Sequence, residues 1–349
     1  MKVLFVVPSL KLIGGVANHY LGLNDYWKSN FRYSYQGHRE HIPAWIMLIP
    51  DYFKFFFQLI FFSPKIVVIN PSLGWYMVIR DALYLLLAKM FNKKVVCFFH
   101  GWELDYAQKV EQHPYWFKKV YQKADLIYVL FSEYKNQLER MGFTQVKLNT
   151  TKVDDKLLKD FHPEERNRNI TNILFLARVA KDKGIYVALD AFFLLKKKFP
   201  ELKFTVVGNG CDYKNAQNYA KNNKIPDVYF TGGLKGEDLS LEFRKGDIYI
   251  LPTYYEGMAT SILEAMAFGL PIISTPVGGV VDFFVNDEMG YLLNSHNPSD
   301  YAEAITKIIM NKDLYKKMVH NNYDFAQEHF LASMIASRME NDFQNLLVK

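Results

Sequence analysis

Short runs rich in Val, Ile and Phe alternate with longer segments of helical pattern along the whole 349-residue chain. This alternation is typical of parallel β-strands joined by helical crossovers, and it restricts the chain to an α/β architecture. The chain is long enough for two such domains, each with its own core. The predicted strands are Val3–Val7, Ile66–Ile69, Val95–Phe99, Leu126–Val129, Ile173–Leu176, Phe204–Val207, Val228–Phe230, Ile248–Leu251 and Ile272–Ser274.

A polar, turn-rich stretch, residues 159–169, separates the first four predicted strands from the last five. We therefore predict one domain over residues 1–168 and a second over residues 169–330. Open α/β sheets bind ligands at the carboxyl ends of their strands. Polar residues that directly follow a strand are accordingly the candidate site residues.

Two glutamates, Glu256 and Glu264, bracket a run of mostly small residues after the predicted strand Ile248–Leu251. The first N–H groups of a helix lack internal partners and lie at the positive end of its dipole, which favours an anionic ligand. Carboxylates nearby can accept hydrogen bonds from hydroxyl groups, and a nucleotide sugar offers both features. We expect Glu256 at the mouth of a strand-to-helix turn and Glu264 about two helical turns further along.

Other candidate residues also follow predicted strands. Arg178 and Lys183 come after Ile173–Leu176, close enough together to converge on one diphosphate. Gly14 and Gly15 follow the first strand, where the missing Cβ atoms leave room for a ligand. His100 ends the strand Val95–Phe99, so its ring should point into the same cleft. Asn18 and His19, on the helix after the glycine pair, are interpreted as structural.

The run from Glu256 to Glu264 resembles the E-x7-E motif of retaining GT-B glycosyltransferases, in particular those of the family 4 type. Residues 176–184 are similar to that family's strand-end Arg and Lys-Gly motif, and residues 271–279 continue the likeness. Together these stretches cover most of residues 170–295 in the family's order and spacing. The N-terminal half is similar only at Gly14-Gly15 and His100-Gly101.

The resemblance implies two Rossmann-like, doubly wound domains facing a central cleft. The first would bind the acceptor, the second would bind the nucleotide-sugar donor, and a C-terminal helix over residues 331–349 would pack back on the first. The implied reaction moves a sugar, with retention, from a UDP- or GDP-linked donor to an acceptor. The expected acceptor is a lipid-linked precursor of a surface polysaccharide.

The resemblance also implies roles for individual residues. Arg178 and Lys183 would bind the diphosphate, Glu256 the donor sugar and Glu264 the ribose, while His100 would lie near the reacting centre. Ala259 stands where many family members carry Pro or Gly. The expected catalytic residues are His100, Glu256, Arg178 and Lys183. The expected donor-binding residues are Gly14, Gly15, Arg178, Lys183, Glu256, Gly257, Met258, Ala259, Thr260, Ser261 and Glu264.

No cofactor or metal ion is expected, because Asp154-Asp155 lies in a polar, strand-poor segment and no Asp-x-Asp metal motif is evident. Two cations and a helix dipole would stabilise the leaving diphosphate instead. Two rival functions stay open. One is a nucleotide-sugar epimerase on the same fold, and the other is a non-catalytic nucleotide-sugar-binding protein.

Residues 1–168 hold 23 lysines and arginines against 15 aspartates and glutamates, an excess larger than the net charge of +6 of the whole chain. The same part carries an aromatic series: Trp45, Tyr52, Phe53, Phe55, Phe56, Phe57, Phe61 and Phe62. Two interpretations stay open, namely side chains that anchor in an anionic bilayer and a buried helix whose rings fill a core. Nucleic acid is not expected as a partner, because no motif for it accompanies the charge.

The cysteine content favours a reducing compartment, since only Cys97 and Cys211 occur. The apolar start of the chain is short and leads to the glycine pair, as a first strand does, rather than to a signal-peptide cleavage site. The most apolar stretch, Phe53–Phe62, is expected to be too short to span a membrane as a helix. We therefore expect a cytoplasmic protein with peripheral attachment to the inner face of the cell membrane.

Overall fold

The computed structural model describes residues 1–12, 14–39 and 42–348. The chain divides into two compact units. Unit 1 comprises Met1–Lys152 together with Ala332–Lys349, and unit 2 comprises Val153–Leu331. The predicted boundary between residues 168 and 169 therefore falls inside unit 2.

Unit 1 contains a six-stranded parallel sheet with helices in the connections between strands. Its elements are β1 (Lys2–Pro8), α1 (Gly15–Leu23), β2 (Asn30–Gln36), α2 (Ala44–Phe61), β3 (Ile66–Ile69), β4 (Ser72–Leu73), α3 (Trp75–Met90), β5 (Lys94–Phe99), β6 (Gly101–Trp102), α4 (Leu104–Gln112), α5 (Tyr115–Tyr121), β7 (Leu126–Val129), α6 (Ser132–Arg140) and β8 (Val146–Leu148). The sheet order is β2-β1-β3-β5-β7-β8, and β4 pairs separately with β6. Nearly every residue of β1, β3 and β5 is buried, as expected for central strands covered on both faces.

Unit 2 holds a second six-stranded parallel sheet. Its elements are β9 (Asn172–Leu176), α7 (Ile185–Lys196), β10 (Lys203–Val207), α8 (Tyr213–Asn222), β11 (Val228–Gly232), α9 (Gly236–Lys245), β12 (Ile248–Leu251), α10 (Thr260–Ala267), β13 (Ile272–Ser274), β14 (Gly290–Leu292), α11 (Pro298–Met310) and α12 (Lys312–His329). The sheet order is β11-β10-β9-β12-β13-β14. Both sheets are doubly wound, and the predicted α/β class with two Rossmann-like domains is confirmed.

A final helix, α13 (Ala332–Val348), belongs to unit 1 although it follows unit 2 in the chain. Its Glu340 carboxylate accepts hydrogen bonds from the N–H groups of Lys28 at 3.3 Å and Ser29 at 2.7 Å. Its Asp342 carboxylate accepts hydrogen bonds from the Tyr128 hydroxyl and the Lys147 ammonium, both at 2.7 Å. These contacts attach α13 to unit 1.

The stretch predicted to be a linker, residues 159–169, is instead part of unit 2. The reason is Arg166, whose buried guanidinium donates to the carbonyl of Phe268 at 2.9 Å and to that of Phe243 at 2.6 Å. Further bonds reach the carbonyls of Arg244 and Gly246. Since these bonds satisfy a buried cation, the segment is fixed to the domain rather than free between domains.

The aromatic segment forms α2, an 18-residue helix that begins at Ala44 and continues through Pro50. The prediction that this apolar stretch is too short to span a membrane was therefore wrong about its length. By length and composition α2 could cross a bilayer, and only 17% of it is buried within the protein.

Candidate active site

The direction of the strand order in unit 2 changes between β9 and β12, which are neighbours in the sheet. Crossover connections leave these two strands toward opposite sides of the sheet, so a crevice opens at their carboxyl ends. The loop after β9 carries Arg178 and Lys183, and the loop after β12 carries Glu256. Residues predicted separately from two motifs therefore lie at one place in the fold.

The two loops are joined by an ion pair between Lys183 and Glu256. Lys183 Nζ donates to Glu256 Oε1 at 2.7 Å and to the Tyr255 carbonyl at 3.0 Å. Glu256 Oε1 also accepts a hydrogen bond from Thr253 Oγ1 at 3.2 Å. Only 15% of the Lys183 side chain and 17% of the Glu256 side chain are exposed, so both groups are preorganised and their interaction is little screened by water.

Two glycines allow the loops to approach so closely. Gly184 has φ of 72°, and a Cβ there would collide with the carbonyl of Pro252 in the other loop. Gly278, with φ of 66°, lies against the carbonyls of Glu256 and Gly257 in the same way. The left-handed backbone and the absence of a Cβ are both needed at these positions.

Arg178 is not part of this ion pair. Its Nη2 atom lies 3.1 Å from Asp182 Oδ2, and 64% of its side chain is exposed. An exposed pair four residues apart holds its partners weakly, so the guanidinium can exchange Asp182 for an anionic ligand. The structure thus joins Lys183 to Glu256, and it leaves Arg178 on the loop after β9 with a different carboxylate.

Glu264 is buried on α10. Because α10 begins at Thr260, Glu264 lies about one helical turn from the helix start rather than the two turns predicted. No side chain caps this helix start at Ala259, and the Tyr249 hydroxyl lies 2.8 Å from Ser261 Oγ behind it. The helix start is therefore supported from below by the sheet.

The rest of the predicted donor loop is half-buried. Met258 and Ala259 pack partly against the core of unit 2, and Thr260 and Ser261 form the first two residues of α10. The Gly257 carbonyl accepts a hydrogen bond from Gly279 N at 2.7 Å, which connects this loop to residues 271–279.

In unit 1, Gly14 and Gly15 lie at the start of α1 after β1. A Cβ placed on either glycine would meet no other atom within 4 Å, and Gly14 has an extended backbone with φ of −179°. Neither packing nor backbone strain within the described part of unit 1 explains these glycines. They leave open space at the carboxyl end of β1.

His100 follows β5, and its ring is held by Asn70, which directly follows β3. Asn70 Nδ2 donates to the Val6 carbonyl at 3.0 Å, which fixes the orientation of the amide. Asn70 Oδ1 accepts from the Tyr20 hydroxyl at 2.8 Å and lies 3.1 Å from His100 Nε2. Because Oδ1 can only accept, His100 Nε2 carries the proton and Nδ1 keeps a lone pair.

Burial lowers the pKa of His100 to about 3, so its imidazole is neutral near pH 7. Its neighbour His19, on α1, lies 5.1 Å away between ring centroids, and burial also lowers the pKa of His19. His19 is buried, as the structural interpretation expected. Asn70 and Tyr20 were missed in the sequence, although Asn70 has the same strand-end position as the predicted site residues.

Two further observations concern chemistry elsewhere in the chain. Both cysteines are unpaired, Cys97 within β5 and Cys211 exposed before α8. In residues 1–12, 14–39 and 42–348, no three His, Cys, Asp or Glu side chains are grouped to hold a metal ion.

Residues 158–325, nearly all of unit 2, match the family described as glycosyl transferases group 1. The match covers the sheet and the strand-end residues described above. The capsular polysaccharide biosynthesis glycosyltransferase CapM of Staphylococcus aureus is 24% identical over 61% of the chain and 57% of CapM. The amylovoran biosynthesis glycosyltransferase AmsK of Erwinia amylovora is 24% identical over 64% of the chain and 56% of AmsK. The chain thus spans less than two thirds of either relative.

The solved structure of Anabaena HepE in complex with UDP and glucose covers 99% of both chains with a TM-score of 0.73. At 14% sequence identity, this likeness concerns the fold alone. Taken together, the comparisons support a glycosyltransferase with the GT-B fold.

Proposed function

We propose that this protein is a retaining glycosyltransferase of the family 4 type. It moves a sugar from a UDP- or GDP-linked donor to a lipid-linked precursor of a surface polysaccharide. The observation that carries the proposal is the Lys183–Glu256 ion pair, which places a cation and a carboxylate together at the β9/β12 crevice. A nucleotide-sugar diphosphate needs the cation, and its sugar hydroxyls need the carboxylate.

In this proposal, Lys183 and Arg178 bind the diphosphate and neutralise the charge that develops as the bond from the sugar C1 to the phosphate oxygen breaks. Arg178 contributes a guanidinium fork once it leaves Asp182, and Lys183 contributes a point charge. The start of α10, with Met258, Ala259, Thr260 and Ser261, adds backbone N–H groups and a favourable dipole. No metal ion takes part.

Glu256 accepts hydrogen bonds from the donor sugar, and Glu264 from the ribose. The acceptor oxygen forms its bond to C1 on the face that the diphosphate leaves, and its proton moves to the leaving phosphate oxygen. Such a same-face displacement retains the configuration at C1 without a covalent enzyme intermediate. Retention rests on the resemblance of the E-x7-E run.

Unit 1 binds the acceptor and supplies the small residues Gly14 and Gly15 beside the donor phosphates. His100 contacts the donor sugar as a neutral hydrogen-bond acceptor through Nδ1, because its Nε2 proton is engaged by Asn70. Its lowered pKa argues for an orienting role rather than one as a general acid.

The donor part of the proposal is supported by the UDP and glucose bound in the HepE structure, and the acceptor part by the polysaccharide pathways named for CapM and AmsK. We place the reaction at the cytoplasmic face of the cell membrane. The unpaired Cys97 and Cys211 support a reducing location.

The test is a screen of UDP- and GDP-sugars for thermal stabilisation, followed by transfer assays with the stabilising donor. A donor at 100 times its dissociation constant stabilises the folded state by about 2.7 kcal/mol. Incubation with lipid-linked glycans should then yield a product whose new bond has the configuration of the donor, as read by NMR. An inverted product would refute retention, and the absence of any stabilising donor would refute the proposal as a whole.

A further inference from the structure

The outward faces of α2 and α3 carry an unusual density of exposed apolar side chains. On α2 these side chains recur three to four residues apart, on the face opposite the buried Phe55 and Leu59. On α3 the same spacing appears opposite the buried Ala82 and Leu85. The exposed members are Trp45, Ile46, Ile49, Phe53, Phe56, Phe57, Ile60 and Phe61 on α2, and Trp75, Tyr76, Ile79, Leu83 and Met90 on α3. We call this set the aromatic surface.

The two helices touch each other, so their outward faces adjoin. The Tyr52 and Tyr84 rings lie 4.5 Å apart between centroids, and the Tyr52 hydroxyl donates to the Arg80 carbonyl at 2.9 Å. The Phe56 ring lies 5.4 Å from Phe91, which ends α3. Contiguous exposed apolar surface of this kind marks an interaction site in a folded protein.

Packing fixes α2 along the side of unit 1 rather than across a bilayer. Phe55 is fully buried, with its ring 4.9 Å from Tyr84. Asp51 is also buried, where its carboxylate pairs with Arg39 at 2.7 Å and accepts from Gly37 N at 2.9 Å. Because one face of α2 is part of the unit 1 core, a helix lying in the plane of a membrane interface fits the structure better than a spanning one.

Basic side chains gather where α2 ends. Lys2 Nζ and the Arg32 guanidinium lie 5.6 and 4.7 Å from the Phe62 ring, and Lys93 Nζ lies 3.2 Å from Ser63 Oγ. Lys65 adjoins them, since its N–H donates to the Lys2 carbonyl at 2.9 Å. We call Lys2, Arg32, Lys65 and Lys93 the basic cluster. It adjoins Phe61, which is 78% exposed.

We propose that the aromatic surface and the basic cluster together dock unit 1 onto an anionic phospholipid bilayer. The rings insert between acyl chains at the headgroup boundary, and the cluster binds lipid phosphates beside them. This combination favours a bilayer over a protein partner, because an anionic membrane interface offers acyl chains and phosphates side by side. The inference rests on the proposed function only in that a membrane-bound acceptor gives the attachment its purpose.

The experiment is cosedimentation of the full chain with vesicles of phosphatidylcholine alone or with phosphatidylglycerol, at 50 and 500 mM salt, with no donor present. We expect binding to the anionic vesicles at low salt and at least tenfold weaker binding at high salt, because exposed attractions are screened over about 8–10 Å at physiological ionic strength. Absence of binding at low salt, or equal binding to both vesicle types, would overturn the proposal.

Variants separate the apolar and electrostatic parts. The double variant Phe53→Ser/Phe57→Ser removes two exposed rings without opening the core, and it should weaken vesicle binding at least tenfold. Its matched control is Leu241→Ser/Tyr229→Ser in unit 2, which removes equally exposed apolar side chains and should leave binding unchanged. Unchanged binding by the first variant contradicts insertion of the rings.

The triple variant Lys2→Gln/Arg32→Gln/Lys65→Gln should weaken binding about 100-fold, from roughly fivefold for each basic residue near an anionic surface. Its control removes the same charge from exposed lysines of unit 2: Lys214→Gln/Lys221→Gln/Lys235→Gln. Equal losses in both triple variants would mean that net charge alone drives attachment and would overturn the assignment to this surface.

Two other occupants give distinct results. A dimer seen by light scattering and abolished by Phe53→Ser/Phe57→Ser would assign the surface to a second copy of the chain. Resistance to carbonate extraction would assign α2 to a membrane span. Either result overturns peripheral docking. UDP affinity measured in the same variants keeps failure of docking distinct from failure of the proposed function, because no variant touches the β9/β12 crevice.

Discussion

Lys183 Nζ and Glu256 Oε1, 73 residues apart in the chain, are 2.7 Å apart in space. The contact connects the loop after β9 to the loop after β12 and buries most of both side chains. A ligand diphosphate at this crevice would find the ammonium already positioned, while the carboxylate would be available to hydroxyl groups beside it.

Removing the ammonium should weaken nucleotide binding. We expect Lys183→Ala and Arg178→Ala each to lower the affinity for UDP or GDP, whichever binds the wild type, by roughly 10- to 150-fold, which corresponds to about 1.5–3 kcal/mol per charge-assisted bond. Isothermal titration calorimetry measures this loss. Lys181→Ala, an exposed lysine of the same loop, is the control and should bind as the wild type does. Wild-type affinity in both test variants would remove these residues from the diphosphate site.

Neutralising the carboxylate should affect turnover more than nucleotide binding. In Glu256→Gln the Lys183 ammonium keeps its bond to the Tyr255 carbonyl, so the loop should stay in place. We expect turnover to fall at least tenfold, because a charged acceptor for sugar hydroxyls is lost, while UDP affinity changes less than threefold. Glu237→Gln, exposed at the start of α9, is the matched control. A variant with full turnover would show that Glu256 only positions Lys183.

Two glycine substitutions should have opposite effects. Gly14→Ala adds a methyl group in open space on an extended backbone, so melting temperature should not change while turnover falls. Gly184→Ala forces an alanine to a φ of 72° against the Pro252 carbonyl, so stability should fall by at least about 1 kcal/mol. Thermal melts and transfer assays on both proteins test the pair. If Gly14→Ala retains full turnover, the open space beside β1 serves no ligand.

His100 should remain neutral and keep one tautomer through the physiological range. Its pKa of about 3 lies below the ordinary value near 6.5, so its contribution to stability is complete above pH 6.5 and is lost as pH falls toward 3. Nitrogen chemical shifts should show a protonated Nε2 and no titration between pH 8 and 5. Lowering the pH from 7 to 5 should destabilise unit 1 of the wild type by at most about 2 kcal/mol more than unit 1 of His100→Gln.

Asn70→Ala tests how that tautomer is held. Without Asn70 Oδ1, the proton of His100 is no longer confined to Nε2, and the NMR signals should report a mixture of tautomers. Turnover should fall with it, while UDP affinity stays at the wild-type value. A single, unchanged tautomer in the variant would mean that another group orients the ring.

Turnover should survive chelation. Lys183, Arg178 and the start of α10 are proposed to stabilise the leaving diphosphate, so EDTA should leave the rate within a few-fold of the untreated enzyme. Rates measured with EDTA and again with added Mg²⁺ or Mn²⁺ decide the matter. Complete loss with EDTA, restored by either ion, would contradict a metal-independent reaction.

The sequence predicted the central strands well, since all nine predicted runs lie within observed strands. It missed β2, β8 and β14, which lie at sheet edges. An edge strand has one side open to solvent and carries polar residues, as in the Asn30–Gln36 segment of β2, so its hydrophobic signal is weak. Position in the sheet, which follows from long-range pairing, decides what such a segment becomes.

The candidate site was predicted in part for the same reason. Strand-end position identified Lys183 and Glu256, but their direct contact depends on β9 and β12 being neighbours, which no local pattern encodes. Asn70 was missed because a lone asparagine before a proline looks like an ordinary turn residue. The burial of Arg166 could not be foreseen either, because its partners are backbone carbonyls more than 70 residues away.

The return of α13 to unit 1 sets an order of events during translation. Glu340 and Asp342, which attach α13 to Ser29 and Tyr128, leave the ribosome only after all of unit 2 has been synthesised. Unit 2 can therefore finish folding before unit 1, even though unit 1 contains the earlier part of the chain. Until then, the surface of unit 1 that α13 will cover stays open to chaperones, and a ribosome stalled before residue 332 would release a protein whose donor domain is complete and whose first domain is not.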